Sequence, residues 1–122
     1  MPIQLKWQNH GVEFFCTGIT TGSECIDANQ QVVSNPRLPE LVYQIVDLSC
    51  VENFDVTSAE TRTLTQMDQR ASEIIKGVRV AMVCPGDLTF GMSRVYAGHS
   101  SSDWLVEVFR TRGEAEVWLG MC

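Results

Sequence analysis

Two short, almost continuously apolar segments constrain the fold of this chain more than any other feature. They are residues 41–48 (LVYQIVDL) and residues 78–84 (VRVAMVC). Both are apolar on nearly both faces, which is typical of strands in the interior of a sheet. A helical pattern lies between them, and strands separated by a helix need a right-handed crossover and therefore pair in parallel. The sequence thus predicts two central strands that run side by side in the same direction.

Alternating residues at the start of the chain predict two further strands. Apolar side chains alternate over residues 3–7 and again over residues 12–16, which indicates an opening hairpin. The turn between them holds Asn9 and Gly11, two residue types that tolerate positive φ. A last strand is predicted over residues 104–110.

Helix starts alternate with these strands. The sequence T-x-x-E, typical of a helix capping box, occurs at Thr21, Thr57 and Thr111. Asp87 is predicted to be the N-cap of one more helix, which ends at Gly98, and Asn53 is expected in a loop. The predicted fold is α/β, with a mixed, mostly parallel five-stranded sheet and four helices. The order is β-β-α-β-α-β-α-β-α, in a single domain spanning residues 1–122.

The charge of the chain disfavours several classes of partner. Nine basic residues stand among fifteen acidic ones, so the net charge is −6 and no basic stripe is formed. Nucleic acids and anionic membranes are bound through Lys and Arg, so neither is predicted as a partner. A basic protein surface fits the charge better.

The cellular location follows from what the sequence lacks. There is no signal-peptide pattern, and no apolar run approaches the ~20 residues of a membrane helix. The five cysteines are an odd number and include no C-x-x-C pair, which favours reduced thiols and a cytoplasmic protein. Cys16 and Cys25 are interpreted as small buried hydrophobes.

Five segments are informative together: residues 2–5 (PIQL), 39–48 (PELVYQIVDL), 54–56 (FDV), 79–83 (RVAMV) and 90–96 (FGMSRVY). They resemble the bacterial SpoIIAA-like proteins of the STAS type. The resemblance covers essentially the whole chain and implies a sheet with helices packed over it. It also implies kinship with anti-sigma antagonists and, more distantly, with lipid-binding SEC14-type (CRAL-TRIO) domains. The expected function is that of a binding or regulatory module rather than an enzyme.

The carboxyl ends of the central strands are the predicted binding site, because ligands of open α/β sheets sit there. The helix that begins near this rim supplies free N–H groups that favour an anion. The site would bind a partner protein or a small anionic ligand, while the plainer interpretation makes Thr57 and Asp87 helix caps only. The rim candidates are Asp47, Ser49, Cys50, Asp55, Thr57, Ser58, Cys84, Gly86 and Asp87.

A phosphorylation site is also implied by the resemblance. STAS antagonists are switched by phosphorylation of a serine at this helix start, in a D-S-S-G or D-S-T-G motif. Residues 55–59 read DVTSA here, with one residue inserted and no glycine. Ser58 is the nearest match and Thr57 the second, and a plain capping role is the alternative for this segment.

An apolar groove near the third helix provides an alternative function. SEC14-type kinship implies that the protein could carry or sense a small apolar, lipid-like ligand. Methionine and aromatic residues at helical spacing also suit ordinary core packing. The groove candidates are Leu64, Met67, Phe90, Met92, Arg94 and Tyr96, with Arg94 positioned to pair with an acidic group of the ligand or of the surface.

No catalytic, metal or cofactor site is predicted. His10 and His99 are expected away from Cys50 and Cys84, so a Cys/His nucleophile is not indicated. No ligand pair has zinc spacing, and neither a P-loop nor a dinucleotide motif occurs.

A homodimer is a further prediction. Glu107 and Arg110 mark the last strand as a sheet edge that a second copy would protect. Trp7, Trp104 and Trp118 would serve as anchors for the core or for an interface.

Overall fold

A five-stranded sheet forms the centre of the protein. The computed structural model describes residues 3–99 and 103–121. The spatial order of the strands is the same as their order in the sequence. β1 and β2 are antiparallel, and every later pair is parallel, so the predicted mixed, mostly parallel sheet is confirmed. The strands are β1 Ile3–Gln8, β2 Gly11–Thr21, β3 Tyr43–Asp55, β4 Arg79–Val83 and β5 Leu105–Phe109.

The opening hairpin turns through two residues, Asn9 and His10, because Gln8 pairs directly with Gly11. In this turn the residue with positive φ is His10 (63°). Asn9 and Gly11, the residue types singled out in the sequence for tolerating this conformation, do not adopt it. Histidine is one of the side chains that tolerate this conformation best. Gly11 is needed for another reason: a Cβ there would lie 2.1 Å from the ring of Tyr43, which packs flat against it.

The three T-x-x-E sequences each begin a helix, as predicted. In every case the threonine side chain accepts from the backbone N–H of the glutamate, whose carboxylate accepts from the threonine N–H. The third of the four helices begins at Asp87 itself, so Asp87 is its first residue and not the preceding cap. The helices are α1 Gly22–Val33, α2 Ser58–Ile74, α3 Asp87–His99 and α4 Arg112–Leu119.

β2 and β3 are longer than the sequence predicted. β4 accompanies β3 only from Tyr43 to Asp47. Beyond that point β2 and β3 continue as a two-stranded parallel ribbon with two register shifts, and Thr21 pairs with Asp55. The predicted loop around Asn53 and Asp55 is therefore wrong, because each strand satisfies the backbone groups of the other.

The two faces of the sheet are covered differently. Val80 and Met82 of β4 belong to a large core cluster with side chains from α1, α2 and α3. The alternate residues, Ala81 and Val83, face the other way, where Ala115 of α4 packs on them. Three helices on one face and one on the other place most of the apolar core, and all of the space described next, under α1–α3.

Candidate functional site

A cavity of about 100 Å³ lies between the sheet and helices α1, α2 and α3. Its wall is mostly apolar, and the strands and helices both contribute to it. Protein interiors are normally packed as densely as organic crystals, so a space of this size in so small a protein is unusual. Apolar residues that form the wall include Phe14, Val46, Val80 and Met82 of the strands and Leu64 and Met92 of the helices.

The position of the cavity mouth follows from the exposure of the lining residues. Phe14 and Val80, over the centre of the sheet, are buried. Phe54, Val56 and Thr61 are only half-buried, and they come from the end of β3 and the start of α2. The part of the wall that reaches the surface includes the place where the β2–β3 ribbon meets α2, and it continues through Leu64 of α2 and Met92 of α3, which are also half-buried.

A hydrogen-bonded group of polar side chains forms part of the wall. Tyr96 of α3 donates its hydroxyl to Asp68 Oδ2 at 2.5 Å, and Asn29 of α1 donates to Asp68 Oδ1 at 3.2 Å. Burial raises the pKa of Asp68, although the bonds from Tyr96 and Asn29 lower it. Burial, together with the nearby Asp68 charge, raises the pKa of Tyr96 well above its ordinary range, so its hydroxyl stays protonated and donates. The group joins three helices above the cavity.

Gln44 is a second polar feature of the wall, on the central strand β3. The side chain is only 3% exposed and lies between Val12 and Val80 of the neighbouring strands. Within the described part of the chain, its Nε2 has no hydrogen-bond partner. Buried polar groups in native proteins are nearly always paired, so this donor calls for an explanation.

The charge of the cavity is restricted to one carboxylate. Asp68 is the carboxylic acid in the described lining. No lysine, arginine or histidine belongs to that lining. An anionic group inside would be buried without a cation to offset its charge, which is unfavourable at low dielectric.

The structure places three of the six predicted groove residues in the cavity wall: Leu64, Met92 and Tyr96. Phe90 is half-buried and packs on the core, with Arg110 3.9 Å and Arg94 5.9 Å from its ring centre. Arg94 is exposed, and Met67 is half-buried outside the wall.

The predictions missed Gln44, Asp68 and Asn29. For Gln44 and Asp68 a signal was present. Gln44 interrupts an apolar strand, and Asp68 follows Leu64 by one helical turn, on the face expected to be buried.

The predicted rim residues Asp47, Ser49 and Cys50 lie within β3, where β4 ends beside it, and not after the strand. Asp47 is buried, and its Oδ1 accepts from Ser49 N at 2.9 Å and from Ser49 Oγ at 2.6 Å. Its Oδ2 lies 3.8 Å from Arg112 of α4, which also pairs with Glu13. Asp47 therefore points to the α4 face, away from the cavity. Ser49 and Cys50 are exposed beside it.

The rim at the helix starts is also bonded internally. Thr57 caps α2 through its box with Glu60. Asp87 pairs with Arg110 at 2.7 Å, and Gly86 next to it is exposed. Cys84 is buried with its Sγ 3.2 Å from Ser93 Oγ. The predicted rim residues are thus divided between two places. Asp55, Thr57 and Ser58 lie at the far end of the β2–β3 ribbon, and the others lie where β4 ends.

Ser58, the predicted phosphorylation site, is exposed as the first residue of α2, and Asp55 is exposed at the end of β3. A phosphate on Ser58 would be favoured by the helix dipole. It would also stand beside the cavity mouth, because Val56 and Thr61 line it. Phosphorylation of Ser58 stays a prediction.

Cys16 and Cys84 are buried, as predicted for Cys16, whereas Cys25 is only half-buried, and all three are held as thiols. Burial raises the pKa of Cys16 and of Cys25 to about 12, and it also raises the pKa of Cys84. A thiol in this state is a poor nucleophile at neutral pH. Cys16 and Cys25 line the cavity, and Cys50 is exposed. Cys122 lies outside the described residues.

Each tryptophan has a partner within the chain. Trp104 is buried and donates its indole N–H to Ile75 O at 2.9 Å. Arg37 stacks over Trp7 and Arg79 over Trp118.

Over residues 3–99 and 103–121, no helix is long and apolar enough to cross a membrane. No metal-binding cluster of three or more acidic, cysteine or histidine side chains is found in the same part.

Comparison with known proteins defines the class of fold. No family model matches the chain, and no curated protein matches it. A crystal structure of an uncharacterised protein of the DUF3478 family from Shewanella loihica PV-4, described as having a SpoIIAA-like fold, is similar with a TM-score of 0.58. The two chains are 16% identical, and the match covers 96% of this chain and 91% of that one. The chain therefore has a SpoIIAA-like fold, as its sequence predicted.

Proposed function

We propose that this protein is a binding module that holds a small, mostly apolar molecule between its sheet and helices α1–α3, as a carrier or a sensor. The observation that carries the proposal is the cavity of about 100 Å³ with its apolar wall. A well-packed small core rarely leaves this much apolar space, and concave, mostly apolar spaces of this kind are where proteins bind small molecules.

The polar residues around the cavity support binding rather than catalysis. The raised pKa values of Cys16, Cys25 and Cys84 leave these thiols unactivated. Asp68 is occupied by Tyr96 and Asn29, so it holds the helices together instead of facing a substrate as a free base. We therefore place the protein among binding modules and not among enzymes.

Native mass spectrometry of protein purified from cells without denaturation tests the proposal. We expect a population heavier than the polypeptide by the mass of one small molecule, which is released as a neutral species on activation. A bare polypeptide mass, together with no binding of small hydrocarbons or ketones in titrations, would contradict it.

The rim is a second candidate site, for a partner protein or a small anion. Ser49 and Cys50 are exposed on β3 just past the end of β4, and Ser58 is exposed where α2 begins, so a partner could reach them. A pull-down that yields one stable partner, lost when Ser58 is changed to aspartate, would support this function. A cytoplasmic location and the pairing of β5 with a second copy stay predictions of the sequence.

A further inference from the structure

A strip of apolar side chains on α3 borders the open part of the cavity. Leu88, Met92 and Val95 follow one another by four and three residues, so they lie on one face of α3. Met92 is half-buried and lines the cavity. Leu88 is 71% exposed and Val95 is 59% exposed. The cavity wall therefore continues through Met92 onto the surface of the protein. We call these three side chains the α3 strip.

The position of the two exposed residues sets them apart from ordinary surface residues. Exposed apolar side chains that stand singly are common and need no explanation. Leu88 and Val95, however, are both in line with a residue of the cavity wall. Gly91 lies between them on the helix and is also exposed, and a Cβ there would meet nothing within 4 Å. The surface between the two side chains is therefore low and open, and an apolar path leads from the cavity onto α3.

The volume of the cavity limits how tightly the cavity alone can bind. At about 100 Å³ it is smaller than an engineered protein cavity of about 150 Å³ that binds benzene. It therefore holds about four or five carbon atoms. At the gain expected for each buried methylene, such a body binds with a dissociation constant of about 1 mM. A ligand that binds more tightly must place further apolar groups outside the cavity, and the α3 strip is apolar surface beside its opening.

We infer that the ligand is a linear, flexible apolar chain, with one end in the cavity and the remainder along the α3 strip. A compact molecule of more than about six carbons exceeds the cavity, whereas a chain enters it by one end. This inference rests on the proposed function and deepens it. It names the shape of the ligand and assigns a binding role to Leu88 and Val95, which belong to neither core cluster.

Three neutral alcohols test the inference by NMR titration of the full chain, in which the methyl signals of Met82 and Met92 report on the cavity wall. The linear 1-octanol has three methylenes more than 1-pentanol, and cyclooctanol holds the same number of carbons as 1-octanol in a compact ring. The strip covers an added methylene on one side only, so each should raise the affinity about twofold. We expect 1-octanol to bind about eightfold more tightly than 1-pentanol, and at least about fivefold more tightly than cyclooctanol.

Two double variants locate the effect. Leu88→Ser together with Val95→Ser should reduce the ratio of the 1-octanol to the 1-pentanol affinity from about eightfold to about twofold or less. Leu105→Ser together with Val117→Ser is the matched control, because these residues are 55% and 70% exposed on the α4 face of the sheet. The ratio should not change there. All four positions are exposed, so we expect both variants to fold, and if one does not, its single substitutions decide.

The outcomes separate the two proposals. Equal binding of 1-pentanol and 1-octanol, or an unchanged ratio when Leu88 and Val95 are replaced, overturns the role of the α3 strip and leaves cavity binding standing. Cyclooctanol that binds as tightly as 1-octanol overturns the chain shape of the ligand. A dimer in sedimentation that the same double variant dissociates would make the strip an interface between copies, which overturns its role as well. Binding of none of the probes overturns both the strip and the proposed function.

Discussion

The hydroxyl of Tyr96 donates to the buried carboxylate of Asp68 at 2.5 Å and so ties α3 to α2 above the cavity. Asn29 of α1 donates to the other carboxylate oxygen. One acid thus links three crossover helices that otherwise meet through apolar contacts. The cavity remains open beneath this link because the helices are held to one another as well as to the sheet.

Replacing Tyr96 by phenylalanine should destabilise the protein. The change removes a donor to a buried carboxylate, which costs about 1.5–3 kcal/mol. Tyr43→Phe is the matched control, because its hydroxyl donates to Gln8 at 2.8 Å in a partly buried place. We expect about 0.5–1.5 kcal/mol there. Urea unfolding of both variants measures the difference, and equal losses would show that the Tyr96 bond has no special weight.

The stability should depend on pH through Asp68. Its pKa is raised in the folded state by burial, against the effect of the Tyr96 and Asn29 bonds. Between its unfolded and its folded pKa the folded state binds more protons, so the free energy of unfolding falls as pH rises through this window. The contribution is fully present below the unfolded pKa and is lost above the folded one.

Asp68→Asn removes this titration. We therefore expect the natural chain to lose stability relative to the Asn variant as pH is raised from about 4 upward. Urea unfolding of both proteins across this range gives the difference. A difference that stays constant with pH would contradict the assignment, whichever protein is the more stable.

Filling the cavity should block binding. Val46 is half-buried in the cavity wall, and Val46→Phe adds bulk where the ligand would sit. The affinity for a small apolar probe such as benzene, measured by NMR titration, should fall by about tenfold or more. Val42→Phe adds the same bulk at a residue that is 58% exposed just before β3, and binding should not change. If both variants bind the probe like the natural chain, the cavity is not the binding site.

Gly11 should not tolerate a side chain. A Cβ would lie 2.1 Å from the Tyr43 ring, so the ring would have to move from the position in which its hydroxyl donates to Gln8. We expect Gly11→Ala to cost about 1–3 kcal/mol. Gly113→Ala in α4 is the control, since a Cβ there meets nothing within 4 Å, and it should be neutral or stabilise by up to about 1 kcal/mol. Thermal unfolding separates the two, and a neutral Gly11→Ala would refute the close packing.

The thiols should react at different rates. Cys50 is exposed, whereas burial raises the pKa of Cys16 and Cys25 to about 12. In a Cys122→Ser background, we expect one thiol to react rapidly with a disulfide reagent at neutral pH and the remainder only after unfolding. Cys50→Ser should remove the rapid phase. A rapid phase that persists would mean that a buried thiol is reached through the cavity.

Much of the fold could be predicted from local signals. The boxes at Thr21, Thr57 and Thr111 begin helices because each satisfies backbone groups within four residues. The parallel pairing of β3 and β4 followed from their apolar character and the helix between them. These features depend on residues that are close in sequence or on a simple rule of chain connection.

The remainder depends on contacts between distant residues. The ribbon that ends at Thr21 and Asp55 lacks clear alternation and is stable because the two strands pair with each other. The cavity wall combines Gln44 with Asn29 and Asp68, three polar residues from three different elements. Each of these residues taken alone is an ordinary polar residue of a strand or helix. That they share one site becomes visible only when the helices are placed over the sheet.

The sheet order also bears on how the protein is made. Because each strand lies beside the one that precedes it in the sequence, a chain leaving the ribosome can add every new strand to an edge that has already formed. No strand has to wait for a later one in order to be inserted beside its neighbours. Assembly during synthesis can therefore proceed from the first hairpin onward. β5 is added last as the edge strand, and α4 then packs on the face of the sheet.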